Sequence, residues 1–431
     1  MQILRNRIFW TRDLFNRSEI RNHIRDIRQI LENYSSEYSR NRREQLLNRL
    51  LKNATQNTPF YRPYAGCLRL EQFPVINKGI IRQDYSRFHA DGFRAEQSIK
   101  VLTSGSTGTP FEAWQDKFKK RRNTADTIYF ASKANFTVGQ QLIYLRRWSK
   151  DVQRSKLLAF MQNLYMVNVT ELTEDFIADW IAGLKRNPEP KCLIGYVSAF
   201  TQICKYLDKI QSPSIDCGVT SVIAVAEALS DYCRQSMQKY FGVPVVSRYS
   251  NMENGILAQE FPGQRHFNIN WASYVIEILH EDRDEPVDFG KPGRIVLTDL
   301  FNYLMPMIRY DTGDLGIMEP DANGTPVLRS VLGRSADMIY NTRGEMVNPT
   351  IVLELKYYPE IRQFQLIQNG QRSYPLRLTV DGPFSRKEEL IRKFKHYFGE
   401  DAEIFVEETD EIPILASGKR KLVMNNYRKA G

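Results

Sequence analysis

The sequence lacks the features of a zinc protein, a thiol enzyme and a membrane-spanning protein. Its 431 residues include only five cysteines and five histidines. No CxxC pair occurs and no histidine stands near a cysteine at metal-ligand spacing, which argues against a zinc site and a Cys-His dyad. No apolar run approaches the roughly 18 residues of a membrane span. We therefore expect a soluble, cytoplasmic protein with reduced cysteines.

We expect no secretion signal either, because MQILRNRIFWTRDLF intersperses charges with apolar residues and offers no small-residue cleavage site. The formal net charge is +10, and 11 Arg against 6 acidic residues give the first 50 residues +5 of it. These arginines recur as in amphipathic helices, without the interleaved aromatics of a nucleic-acid-binding strip. We expect no nucleic-acid partner. A solvated helical face and a peripheral contact with an acidic membrane surface both stay open.

The spacing of apolar residues divides the chain into three parts. Helical spacing predicts helices over 12–34 and 37–56. From about 97 to 330, short β-branched or apolar runs alternate with helix-like segments, which is typical of an α/β protein. The remaining residues form a smaller unit with helices predicted at 350–358 and 386–398. We predict two domains, over 1–334 and 335–431.

A run of small and hydroxyl-bearing residues, TSGSTGTP, occupies positions 103–110. Gly105 and Gly108 permit turns that direct several backbone N–H groups to one point, and the hydroxyls add further donors. Such a loop can hold phosphate oxygens, although an ordinary turn has a similar composition. It is not a Walker loop, because GxxxxGK[ST] is absent.

Charged residues in other stretches could complete a nucleotide site. Glu253 follows the strand-like VPVVSRYS, where a carboxylate can hold Mg²⁺ between phosphates. In MIRYDTGDLG, Asp311 and Asp314 are expected at the end of another strand, where one Asp can accept hydrogen bonds from both ribose hydroxyls. Lys419 lies in SGK and could swing toward a phosphate. Each has a structural interpretation too: a helix cap for Asp314, a solvated helix start for Glu253, a surface ion pair for Arg334 and a solvated tail for Lys419.

Taken together and in this order, these stretches resemble the adenylate-forming superfamily of acyl-CoA synthetases and ligases. The likeness is strongest to the phenylacetate-coenzyme A ligase family and, within it, to the CapK-type proteins of polysaccharide biosynthesis. TSGSTGTP is its most specific element, and RYDTGD, GRSADM and SGK support it. The resemblance implies an α/β fold with a large N-terminal adenylate-forming domain of mixed sheets and helices, which binds ATP and the acid, and a small mobile α+β lid.

The resemblance also implies roles for individual residues. Glu253 would bind Mg²⁺, Tyr249 would lie against adenine, Asp314 would hold the ribose and Arg334 would contact ribose or phosphate. Lys419 would bridge the carboxylate and the α-phosphate, which makes Lys419 and Glu253 the catalytic residues. The β- and γ-phosphates of ATP would be wrapped by Thr103, Ser104, Gly105, Ser106, Thr107 and Gly108. The acid would be lined by Tyr196, Val197, Ser198 and Ala226, and the hinge would be Ser335, Ala336 and Asp337.

The implied reaction converts a carboxylic acid and ATP to an acyl-adenylate and pyrophosphate. The acyl group would then pass to coenzyme A, or to an amine or hydroxyl of a nucleotide-sugar or glycan in capsular or surface polysaccharide biosynthesis. Met252 replaces the usual Thr or Ser before Glu253, and Ala336 replaces a charged hinge residue. Phe261 stands where phenylacetate ligases carry a cysteine. A non-catalytic nucleotide- or acyl-binding protein is the alternative, and a homodimer stays open.

Overall fold

The computed structural model describes residues 1–103, 111–148, 153–347, 349–413 and 421–427. In this part of the chain the helices are α1 Gln2–Phe15, α2 Glu19–Glu32, α3 Glu37–Asn57, α4 Lys78–Gln83, α5 Lys117–Ser132, α6 Lys156–Met161, α7 Glu174–Arg186, α8 Val197–Lys209, α9 Asp231–Phe241 and α10 Lys387–Phe398. No helix among these residues combines the length and apolarity needed to cross a membrane.

The strands of the first half are β1 Ile99–Thr103, β2 Phe111–Gln115, β3 Gln141–Arg146, β4 Leu164–Asn168, β5 Lys191–Tyr196, β6 Val219–Val225, β7 Val245–Asn251, β8 Gly255–Gln259 and β9 Asn268–Ile269. They continue with β10 Tyr274–Leu279, β11 Pro292–Asp299, β12 Tyr310–Pro320, β13 Pro326–Arg334, β14 Ile339–Tyr340, β15 Met346–Val347, β16 Ile361–Gln368, β17 Ser373–Val380, β18 Glu403–Glu408 and β19 Val423–Asn425. The predicted α/β class is confirmed.

The chain opens with helices, as predicted, but the helical segment predicted over 12–34 is divided between α1 and α2. The chain breaks at residues 16–18, where two residues adopt positive φ angles. The buried carboxylate of Asp13 accepts hydrogen bonds from the backbone N–H groups of Ile20 at 2.9 Å and Arg21 at 3.2 Å. A carboxylate at a helix N-terminus satisfies its free donors. The break is therefore stabilised by Asp13 and not by proline or glycine.

Among the described residues, the largest sheet has the strand order β4-β3-β5-β6-β7-β8-β9. Its first five strands, from β4 to β7 in this order, are parallel to one another. Helices α7, α8 and α9 connect its parallel strands, and every residue of β5 is buried. Such continuous apolar strands are expected where both faces of a parallel sheet are covered. The carboxyl ends of β5, β6 and β7 consequently meet at one edge.

A second sheet is antiparallel, in the order β10-β11-β12-β13. Strand β12 begins at Tyr310, so Asp311 and Asp314 lie near the start of a strand. The expectation that this motif ends a strand is wrong. The cause is Arg309, whose φ of 49° turns the chain immediately before β12.

The C-terminal residues form a separate core around the sheet β18-β17-β16-β19 and α10. The predicted helix over 350–358 is a 3₁₀-helix, Pro349–Tyr357. Strand β13 ends at Arg334 and a short 3₁₀ turn, Ser335–Asp337, follows it. The domain boundary between residues 334 and 335 stays a prediction.

Helix α5 joins these layers through a buried polar face. Lys119 forms an ion pair with Asp299, 2.6 Å from Nζ to Oδ2, and both side chains are inaccessible to solvent. One turn further on, Arg122 pairs with Asp26 of α2 at 2.7 Å and donates to the carbonyl of Ala272, also at 2.7 Å. Residues three apart share one helical face. The helix is thus fixed to α2 and to the antiparallel sheet by buried charges.

Replacing one member of such a pair leaves the other charge buried. We expect Lys119→Met to lower the stability of the protein by about 3–5 kcal/mol, because Asp299 loses its counter-ion. Urea unfolding followed by fluorescence measures the effect. Lys117→Met, an exposed lysine on the same helix, is the matched control and should change the midpoint little. Equal midpoints for the two variants would contradict the proposed importance of the pair.

Candidate functional site

The sequence motifs converge first at Asp314. Its carboxylate is contacted by two residues from other strands: Arg334 Nε lies 3.2 Å from Oδ1, and Tyr249 Oη donates to Oδ2 at 2.8 Å. Asp314 and Arg334 are direct cross-strand partners on β12 and β13, whereas Tyr249 comes from β7 of the large sheet. Three of the predicted nucleotide-binding residues therefore form one cluster between the two sheets.

The DTGD turn explains why only one of its two acidic residues faces this cluster. Asp311 accepts a hydrogen bond from the N–H of Gly313 at 2.8 Å and pairs with Arg294 at 2.9 Å. Gly313 has a φ of 77°, and a Cβ atom there would lie 3.1 Å from Arg334 Nη1. Glycine is the residue that such a conformation favours. Asp311 thus shapes the turn, and Asp314 presents the carboxylate.

Burial and charge act in opposite directions on Asp314. Burial raises the pKa of this carboxyl above its usual value, and the Arg334 guanidinium opposes that rise. Burial also raises the pKa of the Tyr249 phenol, and the Asp314 charge adds to the effect. The phenol is therefore a hydrogen-bond donor, and the pair stays sensitive to any change at Arg334.

Glu253 lies near this cluster, and its carboxylate is buried. Its Oε1 is 2.9 Å from Lys78 Nζ and accepts a hydrogen bond from Tyr310 Oη at 2.9 Å. The charges of Glu253 and Lys78 both act on Asp314. Glu253 follows β7 directly, as its sequence position predicts, while the adjacent Met252 is half exposed.

Sequence reasoning missed Lys78 and Tyr310. The backbone of Ile76 bridges to Tyr310, and the side chain of Asn77 caps α4, whose first residue is Lys78. The sequence INKGI signals a helix start through its Asn-Lys pair. No local signal indicates that the lysine would reach a carboxylate 175 positions later in the chain.

The phosphate loop and the catalytic lysine fall largely outside the described residues. Thr103 is described as the last residue of β1, where its hydroxyl is buried and has no hydrogen-bond partner among the described residues. The other residues with predicted phosphate-binding or catalytic roles lie outside the described part of the chain: Ser104, Gly105, Ser106, Thr107, Gly108 and Lys419. They stay predictions.

The predicted hinge, residues 335–337, contacts the tail of the chain at Lys421. Asp337 Oδ1 lies 2.6 Å from Lys421 Nζ, and Asn425 of β19 donates to the carbonyl of Met338 at 2.6 Å. The tail of the chain is consequently held beside the residues that follow Arg334. Ser335 and Ala336 occupy the turn between Arg334 and Asp337.

The predicted acid-binding residues lie together at the carboxyl edge of the large sheet. Tyr196 ends β5 and Val197 begins α8, both buried, whereas Ser198 and Ala226 are exposed. Glu227, which sequence reasoning missed, accepts hydrogen bonds from the N–H of Ser198 at 2.6 Å and from its hydroxyl at 3.1 Å. Ala226 has a φ of 72°, which turns the chain at this edge.

A magnesium ion fits this arrangement with a single protein carboxylate. Among the described residues no cluster of three or more metal-ligating side chains occurs. Magnesium is commonly held by one or two carboxylates together with substrate phosphates and water. Glu253, whose buried carboxylate contacts the Lys78 ammonium and the Tyr310 hydroxyl, matches that pattern.

Comparisons with known proteins agree with the motifs. Residues 339–426 match the CapK C-terminal domain family. Protein CapK of Staphylococcus aureus is 21% identical over 381 residues, which cover 83% of this chain and 81% of that protein. The phenylacetate-coenzyme A ligase of Aromatoleum evansii is 27% identical over 245 residues, 52% of this chain and 56% of the ligase. The second match thus spans only about half of either protein.

Solved structures share the fold at low sequence identity. A 2-hydroxyisobutyryl-CoA ligase in the postadenylation state, in complex with R3-HIB-AMP, superposes with a TM-score of 0.68 at 15% identity, covering 89% of this chain and 88% of that chain. The same ligase in the thioesterification state, with 2-HIB-AMP and CoA, gives 0.57 at 16% identity and 91% coverage of both. The predicted fold, with a large N-terminal part and a small C-terminal part, is therefore confirmed. The chain is therefore a relative of CapK and of the phenylacetate-coenzyme A ligases, built on the fold of adenylate-forming ligases.

Proposed function

We propose that this protein is an ATP-dependent, AMP-forming acid ligase. Its reaction joins a carboxylic acid to the α-phosphate of ATP, giving an acyl-adenylate and releasing pyrophosphate. The observation that carries the proposal is the convergence of Tyr249, Glu253, Asp314 and Arg334 at one edge, although they come from distant stretches of the sequence. The ligase names of its relatives support it.

Each residue of the cluster has a task in this reaction. Asp314 binds the ribose hydroxyls, Arg334 neutralises it and contacts ribose or phosphate, and Tyr249 packs on the adenine. Glu253 would hold Mg²⁺, which when bound offsets the charge of the phosphates. Lys78 lies beside Glu253 and can meet a phosphate oxygen, and the hydroxyl of Thr103, which has no partner among the described residues, can do the same. No protein nucleophile is required, because the substrate carboxylate attacks phosphorus.

The tail lysine completes the site in this proposal. Lys421 is held by Asp337, three residues after Arg334, so the described start of the tail lies beside the residues that follow the ribose cluster. Lys419, two positions earlier in the sequence, is proposed to act at that cluster. The higher TM-score to the postadenylation state, 0.68 against 0.57, supports a lobe arrangement suited to the first half-reaction. Residues 335–337 would then be the hinge of a mobile lid.

The chemical class of the acyl acceptor is proposed from the proteins that this chain resembles. We favour a hydroxyl or amine of a surface-polysaccharide precursor, because the CapK match covers most of both chains and Phe261 replaces the cysteine of phenylacetate ligases. Coenzyme A is the other candidate, and CoA-dependent release of AMP would favour it. A nucleotide-binding protein without turnover is the second candidate function, and the half-exposed Met252 favours it.

The role of Lys419 is testable by mutation. Lys419→Ala should lower acid-dependent pyrophosphate release by about 10²-fold or more, because the cation that offsets charge on the attacked phosphate is gone. ATP affinity, measured by calorimetry, should change little. Lys387→Ala is the matched control, since this lysine of the same C-terminal part pairs with Glu408. Full activity of Lys419→Ala would refute its role, and ATP binding without AMP formation by the wild type would support the non-catalytic alternative.

The Asp314–Arg334 pair predicts a pH dependence. Nucleotide binding needs the Asp314 carboxylate, whose pKa burial raises and Arg334 lowers. Arg334→Gln should raise that pKa further, so AMP affinity should be lost at a higher pH as the solution is acidified. Calorimetric titration from pH 5 to pH 8 measures the shift. Arg329→Gln, an exposed arginine on the same strand, should leave the profile in place. Coincident profiles for both variants and the wild type would contradict the assignment.

Peripheral membrane contact is a further proposal, supported by α1 and α6. Their exposed apolar side chains are Ile3, Leu4, Ile8, Leu14, Phe15, Leu157, Leu158, Phe160 and Met161. The Arg5 guanidinium lies 5.2 Å from the Phe160 ring centroid, so the two helices form one surface with basic residues. Apolar side chains together with arginines suit an anionic bilayer.

Vesicle binding tests this surface. The wild type should cosediment with phosphatidylserine-containing vesicles, and the double variant L4D/I8D should bind about tenfold more weakly because it loses buried apolar area and gains negative charge. Leu68→Asp, an exposed leucine outside both helices, is the control. Equal sedimentation of all three proteins would exclude α1 from membrane contact.

A further inference from the structure

Arg248 is a buried cation whose guanidinium is only partly satisfied. The residue is 7% exposed. Its Nε donates to Gln259 Oε1 at 2.7 Å, whereas its Nη2 is buried and has no hydrogen-bond partner in the part of the chain described. Among the described residues, the ionisable groups whose charges act on it are the thiol of Cys192 and the phenol of Tyr144, neither of which is a carboxylate.

A guanidinium buried in this way is unfavourable unless a counter-ion joins it. Burial lowers the pKa of Arg248 to about 10, so the group still carries its charge at neutral pH. Arg234, by contrast, has a counter-ion, because its Nη2 donates to both carboxylate oxygens of Glu260 at 2.9 Å. Arg248 instead contacts the side-chain amide of Gln259, so its charge remains available to an anion from outside the protein.

The register of the sheet places Arg248 at the predicted acid-binding edge. Tyr196 of β5 pairs with Val225 of β6, and Val225 pairs with Arg248 of β7. Side chains in register across parallel strands point to the same face, and neighbours along one strand point to opposite faces. Arg248 therefore shares a face with Tyr196, while the adjacent Tyr249 faces the nucleotide cluster.

The guanidinium extends from this edge toward the interior of the sheet. Tyr144, whose charge acts on Arg248, pairs with Ile194, two positions before Tyr196. Two residues of a strand span roughly 7 Å. An acid that lies along the Tyr196 face of this edge would thus extend one end toward Arg248.

A second cation is near the same wall. Arg146, the last residue of β3, lies 5.5 Å from the Tyr144 ring centroid and 5.3 Å from that of Trp148, and its charge acts on Tyr196. Together these residues make a wall that is aromatic and positively charged. Such a wall favours an anionic ligand over a purely apolar one.

We propose that Arg248 is the counter-ion for a second anionic group on the acid substrate. The substrate class is then dicarboxylic acids and other carboxylic acids with a carboxylate, phosphate or sulfate at the end remote from the reacting group. This inference rests on the proposed ligase function, because the first carboxylate is the one that is adenylated. The competing explanation is structural, with Arg248 serving only to tie β7 to β8 through Gln259.

Matched substrates separate the two explanations. Succinate, glutarate, adipate and 4-carboxyphenylacetate would each be compared with its monoamide, which has the same shape without the second charge. We expect pyrophosphate release with at least one diacid to exceed that with its amide by about 10²-fold in kcat/KM. Arg248→Met should abolish this preference mainly by lowering activity on the diacid, and Arg248→Lys should restore part of it. A wild-type enzyme that uses amides as well as diacids, or an Arg248→Met variant that keeps the preference, would overturn the proposal.

Thermal unfolding without ATP provides an independent readout. Arg248→Met should melt at or above the wild-type temperature, because an unpaired buried charge is removed, whereas the control Arg234→Met should melt lower because it leaves Glu260 unpaired. A diacid should raise the melting temperature of the wild type but not of Arg248→Met. If no acid yields pyrophosphate yet this stabilisation is seen, the ligase function fails and the anion site stands. If a diacid stabilises neither protein, or if Arg248→Met melts well below the wild type, the anion site fails.

Discussion

The ion pair between Asp314 and Arg334 is the contact on which the candidate site depends. It is a cross-strand pair, so its geometry is fixed by the register of β12 and β13. The hydrogen bond from Tyr249 attaches this pair to the large sheet. Arg334 is also the last residue of β13, immediately before the turn that leads to the C-terminal core. One carboxylate thus joins the two sheets and the start of the C-terminal part.

Much of the fold was predictable because local patterns agree with tertiary burial. The strand-like run VPVVSRYS became β7, whose first four residues are buried, as in strands covered on both faces. The helix predicted over 386–398 is α10, Lys387–Phe398. The motif residues Glu253, Asp314 and Arg334 were found for a different reason: chemistry and spacing, together with a family resemblance, pointed to them.

The features that escaped prediction depend on long-range contacts. Asp13 ends the first helix by capping the next one, and no proline or glycine marks the place. Lys78 and Arg248 look like ordinary surface cations in the sequence, and only packing shows that one meets Glu253 and the other is buried with no carboxylate partner among the described residues. The difference between the two acidic residues of DTGD also appears only in the structure, where Asp311 pairs with Arg294.

The polar face of α5 has a consequence for how the chain is made. Lys119 and Arg122 need Asp299 and the carbonyl of Ala272, which are synthesised about 150 or more residues after the helix. Arg122 has Asp26 as an earlier partner, but packing α5 into a core before Asp299 leaves the ribosome would bury Lys119 without its counter-ion. Helix α5 therefore reaches its final packing only after the antiparallel sheet that follows it has been synthesised.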